Sequence, residues 1–287
     1  MSADEAAQQA SQELAEVPVE RAALPTDPGL LPELGAGFWS IVREGCADLV
    51  IELTGAQLAA IEVHARLLLA WNRHINLTAI RSEEDVARLH VVDSLTALGL
   101  LRRNPRPPSI LDLGSGGGYP GIPLGVALPG SRTGLVDSVG KKVRFLEVAA
   151  DAAMGALRAG GEGGPDGSEL RAVLARAEQL AALPDQRESW DAVTARAVGS
   201  LAEVAELGLP LLRVGGRLLA WKRDDGSGAL RRELADAAPL IRAAGGSRPD
   251  VAVVRLRDLP GHRLVTIRKV ARTPGRFPRP PAERRRP

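Results

Sequence analysis

A glycine-rich segment in the middle of the chain has the residue types and spacing best suited to binding a ligand. Residues 111–123 read LDLGSGGGYPGIP, and Gly114, Gly116 and Gly118 follow directly on the apolar run at 109–113. Glycines just after a strand permit a tight turn, and they let backbone N–H groups approach a ligand at the carboxyl end of a sheet. The spacing therefore predicts a ligand-binding turn.

Two interpretations of a binding turn compete. In the first, Gly116, Gly118 and Gly121 satisfy the dinucleotide pattern G-x-G-x-x-G. That register begins three residues past the strand, and Pro120 and Pro123 stand where the dinucleotide-binding helix would run. A dinucleotide is therefore the weaker interpretation, and a turn with only a structural role is a further alternative.

In the second interpretation the pattern begins at Asp112, inside the strand, and continues through Gly114, Gly116 and Gly118. An acid just before the glycines repels a pyrophosphate but suits a ligand that carries a cationic amino-acid group. S-adenosylmethionine has an ammonium and a sulfonium and no phosphate. Asp137, at the end of the next predicted strand, is placed to accept hydrogen bonds from a ribose diol. These five residues are predicted to bind S-adenosylmethionine.

The elements that must position these residues alternate between strands and helices. Strands are predicted at 109–113, 133–137, 172–175, 190–195 and 217–221, and helices at 141–153, 200–213 and 229–244. Residues 251–257 and 263–270 predict an antiparallel hairpin. This order predicts an α/β fold, with a doubly wound, mostly parallel sheet and an antiparallel edge hairpin.

Helix signals dominate upstream of the sheet. Thr54 and Gln57 fit a capping box, and the helix that follows is predicted to end near Asn76. A second helix is predicted from Ser82 to about Leu101. The chain divides into an acidic, disordered extension at 1–35, N-terminal helices at 36–105, a ligand-binding domain at 106–271 and a basic Pro/Arg tail at 272–287.

Charge is distributed unevenly along the chain. The net charge is +2, but ten acids and two bases give residues 1–53 a charge of −8. Six arginines against Glu283 give residues 272–287 a charge of +5. A basic body with a basic tail admits a polyanionic partner, although an idle, solvated tail would have the same composition. The prolines of the tail predict an extended segment without a regular helix.

Composition excludes several classes of protein. Cys46 is the single cysteine, so there is no internal disulfide and no cysteine-cluster zinc site, and the four histidines have no metal-ligand spacing. No apolar run approaches the roughly 20 residues needed to span a bilayer. We expect a soluble, cytoplasmic protein without a metal and without a membrane partner.

Eight segments carry a resemblance to a known family. They are WNRHINLTAI (71–80), HVVDS (90–94), LDLGSGGGYPGIPL (111–124), VDSVGKKVRFL (136–146), ARAE (175–178), TARAV (194–198), LAWK (219–222) and TPGRFPR (273–279). With them the chain resembles the bacterial small-subunit (16S) ribosomal RNA guanine-N7 methyltransferases, the ribosomal RNA small subunit methyltransferase G or glucose-inhibited division protein B family.

The resemblance implies a class I (Rossmann-like) S-adenosylmethionine-dependent methyltransferase fold with a helical N-terminal extension. It also implies transfer of a methyl group to N7 of a guanine in 16S ribosomal RNA, with the RNA or the small ribosomal subunit as partner. We expect a monomer. The cofactor contacts that it implies are Gly114, Tyr119, Ala177, Glu178 and Arg196, and Tyr119 stands where the family often has Phe or Leu.

The expected chemistry needs no general base. Guanine N7 carries an in-plane lone pair and no proton, so catalysis reduces to positioning and electrostatics. Arg196, which follows an apolar strand, is the predicted catalytic positioning group. His90 and Asp93 share one helix face, and either a structural hydrogen bond or a role on the substrate side would explain them.

Basic residues are predicted to contact the RNA. Lys141, Lys142 and Arg144 open the helix after the second strand, where cations oppose the helix dipole, and that unfavourable placement indicates contact with phosphates. Lys222 and the arginines of the tail are the other RNA candidates. Three alternatives stay open: a methyltransferase for another substrate, an NAD-dependent dehydrogenase, and a cofactor-sensing RNA-binding protein without catalysis.

Overall fold

The computed structural model describes residues 24–102, 106–161, 167–254, 256 and 259–284. Its helices are α1 (Ala36–Asp48), α2 (Gly55–Trp71), α3 (Glu83–Asp85), α4 (Asp93–Leu95), α5 (Leu98–Leu101), α6 (Gly121–Ala127), α7 (Gly140–Ala159), α8 (Ala177–Ala182), α9 (Leu201–Gly208), α10 (Ala229–Ala243) and α11 (Pro281–Arg284). A π-helix at Val86–Val92 joins α3 to α4. Short 3-10 turns lie at Pro28–Leu30 and Leu209–Leu211.

In the part of the chain that the structure describes, seven strands form one sheet. They are β1 (Ser109–Leu113), β2 (Arg132–Asp137), β3 (Glu169–Leu174), β4 (Trp190–Arg196), β5 (Leu212–Arg223), β6 (Asp250–Val253) and β7 (His262–Arg268), in the spatial order β3-β2-β1-β4-β5-β7-β6. The first five in that order are parallel, and β7 pairs antiparallel with both β5 and β6. This arrangement confirms the predicted α/β fold with an antiparallel edge hairpin. Strand order reverses between β1 and β4, which makes this position the topological switch point.

The two faces of the sheet carry separate cores because side chains alternate along each strand. Ile110 and Leu135 face a core that includes α2, α6 and α7, and Leu111 and Val136 face a core that includes α9 and α10. Trp71 at the end of α2 is buried in the first core. The N-terminal helices thus share one core with the sheet and do not form a unit of their own.

Local signals set several boundaries. The capping box predicted at Thr54 is present, since its hydroxyl accepts from the Gln57 N–H at 3.1 Å and the Gln57 side chain accepts from the Thr54 N–H at 3.0 Å. The helix ends at Trp71, earlier than predicted, because the Asn72 side chain accepts the N–H groups of Leu77 and Thr78. These hydrogen bonds compete with continuation of the helix.

Strand β5 is longer than predicted. It begins at Leu212 and not at Arg217, and it runs through Gly215 and Gly216 with a register shift opposite Trp190. Gly215 has φ +92°, and a Cβ at Gly216 would lie 2.8 Å from the carbonyl oxygen of Asp191. The two glycines therefore form an irregularity inside the strand, ahead of the predicted strand start at Arg217.

The prediction of disorder over residues 1–35 is wrong for residues 24–35. The Pro25 carbonyl accepts a hydrogen bond from the Trp71 indole at 2.7 Å, the Leu31 carbonyl accepts one from Arg66, and Leu34 is buried. Leucines of this segment pack against the core, and these contacts order it. Residues 1–23 and 162–166 lie outside the described residues.

The prediction of a free, extended tail is also wrong, for residues 272–284. Phe277 is buried in the core that includes α9, and residues 281–284 form a helical turn. Arg279 makes a bidentate ion pair with Glu206, a carboxylate that is 1% exposed. The tail therefore packs on the domain because fixed acids and an apolar pocket receive it. Residues 285–287 lie outside the described residues.

Candidate functional site

The turn after β1 is built from left-handed glycines. Gly114, Gly116 and Gly118 have φ values of +66°, +53° and +83°. This conformation is costly for residues with a Cβ, and a Cβ at Gly118 would also lie 2.8 Å from the His64 ring. Asp137 braces the turn, because its Oδ2 accepts the Gly116 N–H at 3.1 Å. The sequence therefore folds here into a bare backbone loop at the carboxyl end of the sheet.

Asp112 is fully buried behind the turn, whereas the prediction has it in contact with the ligand. The residue is 0% exposed, its Oδ1 accepts from the Thr194 hydroxyl at 2.7 Å, and its Oδ2 accepts from the Gly121 N–H at 3.1 Å. Burial raises the pKa of this carboxyl to about 6, and the hydrogen bonds oppose that rise. Asp112 ties β1 to β4 and to the start of α6, so it shapes the turn from behind.

A cavity of about 250 Å³ opens at the carboxyl ends of β1 and β2. Its walls include Gly114, Asp137, Ala177, Glu178, Glu203 and Arg284. A larger cavity of about 510 Å³ lies beside the first residues of β2 and β3. We take the smaller one as the candidate site because open α/β sheets bind ligands at the carboxyl ends of their strands, near the switch point.

The cavity brings together some of the predicted site residues and not others. Gly114, Asp137, Ala177 and Glu178 line it, whereas Tyr119 and Arg196 do not. The three carboxylates on its walls offer hydrogen-bond acceptors and negative charge. These acceptors fit a ligand with an ammonium group and ribose hydroxyls better than one with a pyrophosphate.

Tyr119 lies in a stack of three rings next to the turn. Its ring centroid is 4.3 Å from that of His64 and 4.6 Å from that of His90, and its hydroxyl is buried with no partner among the described residues. Burial lowers the pKa of His64 to about 4. Burial, and then the charge of Arg196, lowers the pKa of His90 to about 3. Both imidazoles are therefore neutral near pH 7.

Arg196, the last residue of β4, is held rigidly beside this stack. Its guanidinium donates to the Leu89 carbonyl at 3.0 Å, to Asp93 Oδ2 at 3.2 Å and to His90 Nδ1 at 2.9 Å. Since His90 Nδ1 accepts, its Nε2 carries the proton and donates to the Thr78 hydroxyl at 2.9 Å. The structural explanation of His90 and Asp93 is therefore supported, because both fix Arg196.

The predicted RNA-contacting residues divide into two groups. Lys141 and Arg144 are exposed and Lys142 is partly exposed, and the structure gives these three no hydrogen bond or ion pair to any described residue. Lys222 differs from them. Its Nζ donates to the Gly199 carbonyl at 2.8 Å and to Glu233 at 2.7 Å, so it links β5 to α10 and is not free for RNA.

Sequence patterns missed several residues of the site, among them the cavity residue Glu203. Thr194 fixes Asp112, and Arg284 of the tail reaches the cavity and donates to Glu178 at 3.1 Å. A threonine inside an apolar strand only weakly indicates that its hydroxyl binds a buried acid on the neighbouring strand. For Arg284 the sequence offered no signal, because its partner lies 106 residues away.

The described ranges contain no cluster of three or more His, Cys, Asp or Glu side chains that could hold a metal ion. None of the helices described combines the length and the apolar character that crossing a membrane requires.

The chain matches one protein family and is similar to several known proteins. Residues 57–236 match the family described as GidB, rRNA small subunit methyltransferase G. The ribosomal RNA small subunit methyltransferase G of Alkaliphilus oremlandii is 35% identical over 244 residues, covering 83% of this chain and 93% of the relative. That of Symbiobacterium thermophilum is 37% identical over 243 residues, covering 84% and 94%. A solved structure described as a possible exported protein from Bordetella parapertussis is 16% identical with a TM-score of 0.46, covering 82% and 96%.

Proposed function

The chain belongs to the GidB, or ribosomal RNA small subunit methyltransferase G, family, and from this premise we propose that it transfers a methyl group from S-adenosylmethionine to N7 of a guanine in 16S ribosomal RNA. The observation that carries the proposal is the match over residues 57–236, which span the glycine-rich turn and the walls of the cavity up to α10. The names of the relatives give their substrate as RNA of the small ribosomal subunit.

The cavity at the carboxyl ends of β1 and β2 is the proposed cofactor site. Gly114 offers bare backbone, Asp137 lies at the end of β2 where a ribose diol would be bound, and Glu178 offers an acceptor on α8. When bound, S-adenosylmethionine supplies an electrophilic methyl group on a sulfonium. The carboxylates of the cavity suit its positive charge, which supports this cofactor over a dinucleotide.

The residues of this chain then act by positioning. Guanine N7 attacks through a lone pair and releases no proton, so no side chain has to accept one. Arg196 is the proposed positioning group, because its three hydrogen bonds hold it rigid before any substrate arrives. A preorganised cation needs no rearrangement as the reaction proceeds. His90 is neutral near pH 7, so it orients Arg196 without adding a second charge.

The exposed cations of α7 are the proposed RNA contacts. Lys141 and Arg144 lie just after Asp137 in the chain, so they emerge at the same edge of the sheet as the cavity. Their side chains are not committed to ion pairs within the described ranges. The N-terminus of a helix carries a partial positive charge, which disfavours cations there. Bound RNA phosphates would offset that repulsion.

The experiment uses small ribosomal subunits from a bacterium that lacks this methylation. The purified protein, with radiolabelled S-adenosylmethionine, should introduce 7-methylguanosine at one site of the 16S RNA. Gly114→Ala should lower both cofactor binding and turnover, because its φ is +66° and a Cβ would lie 2.9 Å from a methyl of Val198. Gly155→Ala in α7 is the matched control and should have no effect, since nothing lies within 4 Å of a Cβ there.

Each alternative has a distinct outcome in this experiment. Cofactor binding without transfer to RNA would indicate a cofactor-sensing RNA-binding protein. Label appearing in protein or a small molecule would indicate another substrate. Tight binding of NAD without binding of S-adenosylmethionine would contradict the methyltransferase proposal altogether.

A further inference from the structure

One wall of the cofactor cavity comes from the far end of the chain. The Arg284 side chain lines the cavity together with Glu178, and only 10% of it is exposed. Its two terminal nitrogens have different partners. One donates to Glu178 Oε1 at 3.1 Å, and the other donates to the Arg279 carbonyl at 3.1 Å. The guanidinium is therefore fixed between the tail backbone and a cavity carboxylate.

The position of Arg284 follows from strong anchors earlier in the tail. Arg279 binds the buried Glu206 through both carboxylate oxygens, at 2.9 and 2.8 Å. Arg187 donates to the carbonyl groups of Thr273, Pro274 and Phe277 at 3.0 to 3.2 Å. A chain segment held at this many points has little freedom, so the placement of Arg284 in the cavity is a property of the fold.

The carboxylates of the cavity differ in how many acceptors they have left for a ligand. Both oxygens of Asp137 accept backbone N–H groups, from Gly116 at 3.1 Å and Val139 at 2.9 Å. Glu178 accepts from Arg284 through Oε1, while its Oε2 has no partner among the described residues. Glu178 therefore presents one occupied oxygen and one oxygen that a ligand can reach.

We propose that Arg284 is a positioning residue of the cofactor site, which fixes the Glu178 carboxylate so that its second oxygen accepts a hydrogen bond from the bound nucleoside. The inference rests on the proposed function and adds to it a tail residue that acts through Glu178. A glutamate has three rotatable side-chain bonds, and holding it in one rotamer before binding removes that entropic cost from the affinity.

Calorimetry with S-adenosylhomocysteine, the product form of the cofactor, tests the inference. Arg284→Ala should weaken binding up to about 10-fold, because the released Glu178 side chain must then be ordered when the ligand binds. Arg284→Lys keeps a donor and should restore most of the affinity. Arg276→Ala is the matched control from the same tail, since Arg276 is exposed and lies over the Phe277 ring away from the cavity, and it should bind as the wild type does.

A double-mutant cycle separates positioning from a general loosening of the tail. If Arg284 acts through Glu178, then adding Arg284→Ala to Glu178→Ala should change the affinity less than about 2-fold. In turnover assays Arg284→Ala should raise KM for S-adenosylmethionine and leave kcat unchanged. The thermal unfolding midpoint of Arg284→Ala is measured alongside and should stay close to that of the wild type.

The outcomes distinguish this inference from the proposed function. A wild-type protein that binds no S-adenosylhomocysteine would overturn both. If the wild type and Arg284→Ala bind S-adenosylhomocysteine with equal affinity, the proposed role of Arg284 is overturned and the proposed function stays intact. An undiminished effect of Arg284→Ala in the Glu178→Ala background would also overturn it, because the arginine would then act independently of Glu178.

Discussion

At the scale of single residues, the most consequential groups are buried and polar. Asp112 and Arg196 each have all their partners supplied by the protein, from elements far apart in the sequence. Burying such groups costs free energy unless every donor and acceptor is paired. Their pairing explains why the turn and the predicted positioning group are rigid before any ligand arrives.

The two buried histidines make stability depend on pH. His64 and His90 have folded pKa values of about 4 and about 3, both below the unfolded value of about 6.5. Their contribution is fully present above pH 6.5 and is lost as the pH falls towards 4, because the unfolded chain then binds more protons. Each histidine should steepen the loss by up to about 1.4 kcal/mol per pH unit.

Urea unfolding of the wild type and His90→Gln between pH 7 and pH 5 measures this effect. The unfolding free energy should depend less steeply on pH in the variant, by up to about 1.4 kcal/mol per pH unit, because the variant lacks one group that binds a proton only in the unfolded chain. His74→Gln, at an exposed side chain, is the control and should keep the wild-type dependence. Identical slopes for wild type and His90→Gln would contradict the neutral, buried state of His90. The raised pKa of Asp112 has the opposite effect, since it adds stability as the pH falls towards 4. This contribution is the same in both proteins, so it cancels when their slopes are compared.

At the scale of elements, the tail is part of the folded domain. Deleting residues 272–287 should lower the unfolding free energy, because it exposes the pocket of Phe277, whose burial alone is worth about 1.5–3 kcal/mol. It also removes the partner of the buried Glu206 carboxylate. The urea midpoint checks this expectation, and Arg276→Ala, which removes only an exposed contact over the Phe277 ring, should change it far less than the deletion does. An unaltered midpoint after deletion would mean that the tail adds nothing to stability.

Local elements were predictable from sequence and distant pairings were not. The bounds of β1, the capping box at Thr54 and the antiparallel hairpin follow from patterns a few residues long. The docking of the tail depends on Glu206 and Arg187, which are 73 and 90 residues from their partners in the tail. Composition and proline content therefore predict a free segment correctly only when the rest of the fold offers it no binding partner.

The candidate site was predictable to the same extent. The glycine turn and Asp137 lie where the sequence placed them, because glycines with positive φ and an acid at a strand end are local signals. The orientation of Asp112 was not predictable, since it depends on Thr194 in a neighbouring strand. The charge of Lys222 predicts an RNA contact. In the structure Lys222 instead forms an ion pair with Glu233, eleven residues later on α10.

At the scale of the whole molecule, RNA affinity should depend on salt through the cations of α7. Each neutralised phosphate contributes about 0.7 to 0.9 to the slope of log affinity against log salt. The double variant Lys141→Ala, Arg144→Ala should therefore flatten that slope by up to about 1.4–1.8, measured on small ribosomal subunits. Lys222→Ala should leave the slope unchanged, because its charge is paired inside the fold. An unchanged slope in the double variant would move the RNA interface elsewhere.

The ring stack around Tyr119 has a spectroscopic consequence. Tyr119 is the single tyrosine of the chain, and burial raises the pKa of its hydroxyl well above the ordinary value of 10. The folded protein should therefore show no tyrosinate absorbance as the solution is made alkaline past that value. The unfolded chain ionises there, so stability falls as the pH rises above about 10. Absorbance of the phenolate then reports on global unfolding from one native chromophore, without any label.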